Sequence, residues 1–349
     1  MNLKKKAKPL ALTLIITLLI TIAAGCGGLS TTTSTTSTTL ASDENQTTTE
    51  ATSSVSSEET SSSAETTESQ SAQAITLIDM KDREFQLDKT ADKIVALTAA
   101  DCEIIYALGA GDTLIGRGEY CNYPEEVLDV PSVSSGSETN IEQVIALEPE
   151  VIIMGTMDQT TEQIEAFENA GIPVIVTDAQ SIEDTYTAIE LIGAVTGHQK
   201  QAADLAAKMQ SDFAEIARLA QEKKAEDSKS IYFEVSPLEF GLWAAGSNTF
   251  MDEITAMLGL ENTFADVEMW GEVSQEQVIE RNPDYIVTIT MYFGEGPLPV
   301  DEIMSRPGWS EISAVKNKLV FNADSDQLSR PGPRLADGAK ALYDFVYGQ

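Results

Sequence analysis

Few side chains in this 349-residue chain suit bond-making chemistry. It has a single histidine, His198, and three cysteines, Cys26, Cys102 and Cys121. A nucleophile needs a base within hydrogen-bond reach, and His198, beside Gly197 at a helix junction, reads as a helix-terminal surface residue. No Gly-x-Ser-x-Gly elbow and no Walker loop occurs. Gly109-Ala110-Gly111 follows a helical pattern and precedes a strand, the reverse of the context a phosphate loop requires. Zinc is ordinarily held by several His or Cys, and Asp324 with Asp326 makes a polar turn more readily than a hard-cation site. The expectation is a protein without catalytic residues, resident metal or intrinsic cofactor.

Carboxylates dominate the remaining chemistry, with 56 Asp and Glu against 22 Lys and Arg and a net charge of −34. Counterion release from nucleic acid needs a basic face, so a nucleic-acid partner is excluded. Seven acids and four lysines precede residue 75, which leaves 49 acids and 18 bases, or −31, on the remainder. Two of these acids stand out because their surroundings repeat. The segment 140–152 (NIEQVIALEPEVI) echoes 274–286 (SQEQVIERNPDYI) at an offset of 134 residues. Each copy opens on an N-cap, Asn140 or Ser274, and carries Gln at the third helical position as in a capping box. Each ends in a Pro before a strand, and Glu142 and Glu276 take the same first-turn place, where the helix dipole favours a carboxylate. Asp101, Glu103, Glu138 and Glu148 read as solvated surface. Cys102 and Cys121 follow as free thiols or as a disulfide, near two adjacent strand ends.

The elements that must position these groups begin after residue 74. Segments 75–79 and 83–87 alternate with period two around a turn at 80–82, predicting a hairpin. Buried-strand candidates follow at 93–97, 113–118, 151–155, 174–178, 231–236, 285–290 and 319–323, with helical patterns between most of them. That order predicts an α/β body with largely parallel sheets, and the 134-residue echo predicts two lobes of one plan. Residues 199–227 form a long helical pattern without Gly or Pro, with Leu205, Met209, Phe213, Ile216 and Leu219 on one stripe. It predicts a single rigid helix joining an N-terminal lobe, 75–198, to a C-terminal lobe, 228–349.

Ahead of the body, Lys4, Lys5, Lys6 and Lys8 precede an uncharged run over 9–25. Seventeen residues are marginal for a hydrocarbon core of ~30 Å and suit the apolar region of an export signal. Ala24-Gly25-Cys26 resembles the lipobox of bacterial lipoproteins, which implies a signal peptide over 1–25 and a lipid on Cys26 that anchors the mature chain to the extracytoplasmic face of the cell membrane. Residues 26–74, mostly Ser and Thr without aromatics, read as a disordered tether.

The body resembles the ABC-importer substrate-binding proteins that capture vitamin B12-type corrinoids and iron–siderophores. The resemblance runs from residue 75 to 349. It rests on Lys93-Ile94-Val95-Ala96-Leu97 with the helix after it, Tyr120-Cys121-Asn122-Tyr123-Pro124, the two Glu-bearing helix starts, Tyr232-Phe233-Glu234-Val235-Ser236-Pro237, and Arg330-Pro331-Gly332-Pro333-Arg334 before the last helix. It implies a class III periplasmic-binding-protein fold, two Rossmann-like lobes with central parallel sheets, and a ligand between them. It also implies partnership with an ABC permease dimer and its cytoplasmic ATPase, with Glu142 and Glu276 docking on the permease. Tyr120, Tyr123, Trp243 and Trp270 are the aromatic candidates for a corrin or siderophore, joined by Tyr292 and Phe293, while Arg330 and Arg334 either meet ligand carboxylate or phosphate or cap the last helix. A monomeric soluble body is expected, a haem receptor of the same fold or a non-transport signalling receptor being the other readings.

Overall fold

The computed structural model describes residues 74–156, 161–223 and 228–348. The expected export signal, Cys26, the tether up to residue 73 and positions 224–227 of the expected linking helix lie outside these residues.

The opening hairpin pairs β1 (Ile75–Ile78) with β2 (Glu84–Leu87) antiparallel. Asp79 closes its turn, its Oδ1 accepting from the Lys81 and Arg83 amides at 2.9 and 3.0 Å. The hairpin is fastened to the body by the same carboxylate, which accepts the Val176 amide at 3.1 Å, and by Arg83, which donates to the Val174 carbonyl at 2.9 Å.

In the first lobe, β3 (Ile94–Ala96), β4 (Leu114–Gly118), β5 (Ser132–Val133), β6 (Val151–Met154) and β7 (Val174–Val176) form one sheet in the order β5-β4-β3-β6-β7. Every pairing is parallel. The helices α1 (Ala99–Ala107), α2 (Ile141–Ile145), α3 (Thr161–Asn169) and α4 (Ile182–Thr196) alternate with these strands. Strands covered on both faces need apolar residues throughout, and β3, β6 and β7 are buried at every position.

Helix α5 (Gln199–Lys223) joins the lobes; its 25 residues rise ~37 Å. Its buried stripe is Ala202, Ala206, Met209, Phe213, Ile216 and Ala220, with Leu205 and Leu219 half-buried beside it. Ala202 and Gly193 let α5 lie close on α4: a Cβ on Gly193 would sit 2.5 Å from that of Ala202.

The second sheet is parallel at its centre, as expected, and antiparallel along one edge. It orders β11 (Trp270–Glu272), β9 (Trp243–Ala245), β8 (Ser230–Ser236), β12 (Tyr285–Thr288) and β13 (Val320–Asn322), with β10 (Glu261–Asn262) on the first residues of β8. Pairings of β8, β12 and β13 are parallel, whereas β9 runs antiparallel to both β8 and β11. The connection over 237–242 is too short for a crossover, so the chain must fold back. Around this sheet lie α6 (Phe250–Met257), α7 (Gln275–Arg281), α8 (Pro299–Ser305), α9 (Ser313–Lys316), α10 (Ser325–Leu328) and α11 (Leu335–Tyr347).

The echoed segments occupy equivalent places. Strand β6 lies between β3 and β7, and β12 lies between β8 and β13. Both helices are capped by the expected side chains, but only Ser274 and Gln277 form the reciprocal capping box. Gln143 instead donates to the Ser132 carbonyl at 3.0 Å, tying α2 to β5.

Candidate functional site

All five strands of the first sheet point their carboxyl ends the same way, and the residues just past those ends line a cavity of about 390 Å³. Crevices at this edge of an open α/β sheet are where ligands lodge. After β3 come Thr98 and Asp101, after β4 Tyr120, after β5 Ser135 and Gly136, after β6 Gly155, and after β7 Thr177, Asp178 and Gln180. The second lobe supplies Met291, beyond β12, and Ser329, Arg330 and Pro331, between α10 and α11.

Asp101 forms part of the cavity wall from a buried position. Thr98 caps α1 by accepting the Asp101 amide at 3.2 Å and donates its own hydroxyl to the Asp101 carboxylate. Thr177 donates to the other carboxylate oxygen at 2.8 Å. Burial raises the Asp101 carboxyl to about 6, the two hydroxyls pulling against it. Asp178 differs: burial would raise it, but bonds from Lys81, Thr156 and Gln180 prevail and hold it below the usual carboxylate range.

Arg330 and Arg334 are engaged across the lobes. Glu103 on α1 is 3% exposed. It accepts from Arg330 at 3.0 Å and from both the Nε and Nη2 of Arg334, at 2.8 and 2.7 Å. That bond to Glu103 raises the Arg334 pKa. Arg330 also donates to Asn122 at 2.7 Å and pairs with Asp326 at 2.6 Å, while Asn122 donates to Asp326 at 2.8 Å. Asp324 caps α10. The Arg334 guanidinium lies 3.9 Å from the centroid of the Tyr123 ring. Asp101 and Glu103 are therefore interior, contrary to the expectation of solvated acids. Asp101 is enclosed by its own lobe, through Thr98 and Thr177, and Glu103 is covered by Arg330 and Arg334 of the second lobe.

The aromatic candidates separate. Tyr120, 69% exposed, lines the 390 Å³ cavity with Arg330. Tyr123 and Arg334 line a neighbouring cavity of about 490 Å³ with Glu103, Tyr106, Pro124 and Glu126. Trp270 packs at 5.5 Å on Phe250 and donates its indole N–H to Gln180 of the other lobe at 3.0 Å. Trp243 lies on β9, 39% exposed, and lines neither cavity. Phe293 and Tyr292 stand exposed on the loop after Met291. Glu142 and Glu276 are both exposed and make no hydrogen bond or ion pair through their carboxylates to described residues.

The sequence reading missed Thr98, Asp101, Ser135, Thr177, Asp178 and Gln180. A signal for one pair existed: Thr98-x-x-Asp101 directly after a predicted strand is a capping-box pattern. Thr177, Asp178 and Gln180 sit within two residues of a predicted strand end, whereas Ser135 follows the two-residue β5 that the pattern does not predict, and nothing local says which of them face the cavity.

The sequence profile of the periplasmic binding protein family matches residues 94–327. An uncharacterised ABC transporter substrate-binding lipoprotein of Bacillus subtilis is 35% identical over 276 residues, covering 78% of this chain and 85% of that protein. A vitamin B12-binding protein of Pectobacterium carotovorum is 28% identical over 255 residues, covering 72% of this chain and 86% of that protein. A solved structure of a possible iron-binding (periplasmic solute-binding) protein from Staphylococcus epidermidis superposes with a TM-score of 0.64 at 30% identity, covering 74% of this chain and all of that one.

Proposed function

The chain belongs to the periplasmic binding protein family, and from that premise we propose that it is the extracytoplasmic substrate-binding component of an ABC importer. A lipid on Cys26 and the tether over 26–74 hold it at the outer face of the cell membrane. Lobes 75–198 and 228–349, joined by the helix that starts at Gln199, capture a metal chelate of the corrinoid or ferric-siderophore class. They deliver it to a permease dimer whose cytoplasmic ATPase supplies the energy, so the chain itself catalyses nothing.

The observation that carries this reading is the cavity formed where five parallel strand ends of one lobe face the α10–α11 segment of the other. Its electrostatics favour an uncharged or cationic chelate, such as a corrinoid, over a polyanionic one. Arg330 is the sole cation among the described lining residues, and its two Nη groups are engaged by Glu103, Asn122, Asp326 and the Tyr120 carbonyl. A polyanionic chelate would find no unpaired cation there, whereas an uncharged or cationic macrocycle meets Tyr120, Met291 and the small polar groups of Thr98, Ser135 and Thr177. Arg330 and Arg334 accordingly serve as a clasp between the lobes, Trp270 and Gln180 bridge the lobes beside the cavity, and Tyr123 and Trp243 are peripheral to it. Glu142 and Glu276, unpaired and one on each lobe, are assigned to permease docking.

Titration of the intrinsic Trp fluorescence with cyanocobalamin, ferric hydroxamates and haemin tests the ligand class. Submicromolar quenching by cyanocobalamin is expected, with a weaker response to haemin, whose two propionates are anionic. Absence of quenching by all three would overturn it.

A further inference from the structure

Beneath the interlobe clasp lie two thiols that the binding function does not use. Cys102 sits on α1 between Asp101 and Glu103, and Cys121 follows β4 between Tyr120 and Asn122. Both are buried, at 0% and 1% exposure, and both carry free thiols with the sulfurs 2.9 Å apart. The Cys121 thiol also faces the Thr98 carbonyl at 3.3 Å, and Arg117 holds the Cys121 carbonyl at 3.0 Å, so the loop is fixed with its sulfur toward α1. A bonded pair sits at about 2.05 Å, so an approach of roughly 0.9 Å closes it.

We propose that Cys102 and Cys121 are a redox pair that closes into a disulfide by exchange with a small-molecule or protein disulfide. The Cys121 thiolate attacks one sulfur of the donor and expels the first donor thiolate, leaving a mixed disulfide on Cys121. Cys102, losing its proton to solvent, then attacks the Cys121 sulfur and expels the second donor thiolate. Two cysteine thiols are oxidised and one donor disulfide is reduced to two thiols, so atoms and electrons balance. Cys121 leads because it lies on a loop flanked by solvent-facing Tyr120 and Asn122, whereas Cys102 is enclosed by its helix. Access comes when the lobes part, since Tyr120, Asn122 and Tyr123, which flank Cys121, join Glu103 in holding Arg330 and Arg334.

The consequence reaches the cleft. Glu103 and Asn122 receive Arg330 from two different elements of one lobe. A bond between Cys102 and Cys121 makes those two elements a single covalent unit directly under the clasp. The physiological setting rests on the extracytoplasmic reading above, where disulfides persist, but the chemistry does not, and the following test is independent of ligand or location.

Purified full chain is incubated with oxidised glutathione, in one arm under native conditions and in another in enough urea to expose both thiols before refolding. It is then alkylated under denaturing conditions and weighed. The expected result in the urea arm is loss of both the Cys102 and Cys121 thiols, a linked 102–121 peptide pair and a Tm raised by several degrees that reverts on reduction. The native arm should reach the same state more slowly, and faster in Glu103→Gln, which loosens the clasp. Cys102→Ala should accumulate a glutathione adduct on Cys121. Two alkylatable thiols at 102 and 121 after the urea arm would overturn the proposal, as would a linked pair that leaves Tm unchanged or lowers it.

Discussion

Two of the buried carboxylates, Asp101 in the first lobe and Glu234 in the second, are handled in opposite ways. Asp101 in the first lobe has only hydroxyls for partners, Thr98 and Thr177, so burial leaves its carboxyl titrating near 6. Glu234 in the second lobe, on β8, receives a two-pronged bond from Arg306 at 2.6 and 2.9 Å, and both side chains are 1% exposed. Burial raises the Glu234 carboxyl too, but there the guanidinium opposes it, and Glu302 and the ring of Trp309, 4.5 Å away, complete the surroundings of Arg306. A buried acid matched by a cation is a structural unit. A buried acid matched by hydroxyls at a cavity wall stays responsive to protons and to whatever fills the cavity. The lobe with the all-parallel sheet carries the responsive group, and the lobe with the mixed sheet carries the fixed one.

That comparison can be broken at several points. The largest effect is expected where the lobes are alike. Reversing both acids proposed to dock, Glu142→Lys with Glu276→Lys, would place like charge against the cationic surface that the proposal gives the permease, at a cost of several kcal/mol. Cellular uptake should fall to background while ligand titration of the isolated protein is unchanged. Each single variant should lose uptake to a similar degree, and undiminished uptake in the double variant removes the transport reading.

Next in size is the fixed pair. Arg306→Ala leaves Glu234 buried without its cation and should cost roughly 3–5 kcal/mol in urea unfolding. Replacing both partners with apolar side chains, Glu234→Leu with Arg306→Met, should cost much less, because no charge is stranded. Equal losses in the two variants would deny the pair its independence from the rest of the core.

The responsive acid gives the smallest shift and a definite sign. The folded-state value of Asp101, about 6, lies above the 3.8 expected of the unfolded chain. Between those values the folded protein holds the extra proton, so stability falls as pH rises from about 4 to about 6, by about 3 kcal/mol for a shift of about two units. Asp101→Asn should flatten that decline and be more stable than the parent at pH 7. The check is urea unfolding at pH 4, 5, 6 and 7, and an unchanged slope in the variant would assign the decline to other groups.

Much of this molecule is visible residue by residue. The period-two hairpin, the buried apolar runs of β3, β6, β7 and β12, and the repeated helix–strand unit at 140–152 and 274–286 all appear where their patterns put them. Strands β9 and β11 do not announce themselves. Each is three residues long and includes a Trp at its start, and their pairing is set by the fold-back after β8. The stripe of α5 was legible in phase but not in detail, because its buried alanines, among them Ala202 against Gly193 of α4, carry little hydrophobic signal of their own.

What the sequence by itself determined is therefore the α/β class, the two-fold repeat, the long linking helix, the two outward carboxylates and the acidic balance that excludes nucleic acid. These depend on periodicities and caps set within about a dozen neighbouring residues. Only the tertiary structure decided the character of the cleft. Glu103 meets Arg330 and Arg334 across 227 and 231 residues of chain, and Cys102 meets Cys121 across 19. The thiols meet through the packing of α1 against the end of β4 within one lobe, whereas the Glu103 contacts depend on how one lobe covers the other, which turns an acid that looks solvated into a buried partner and turns arginines that look free for a ligand into the clasp that holds the lobes.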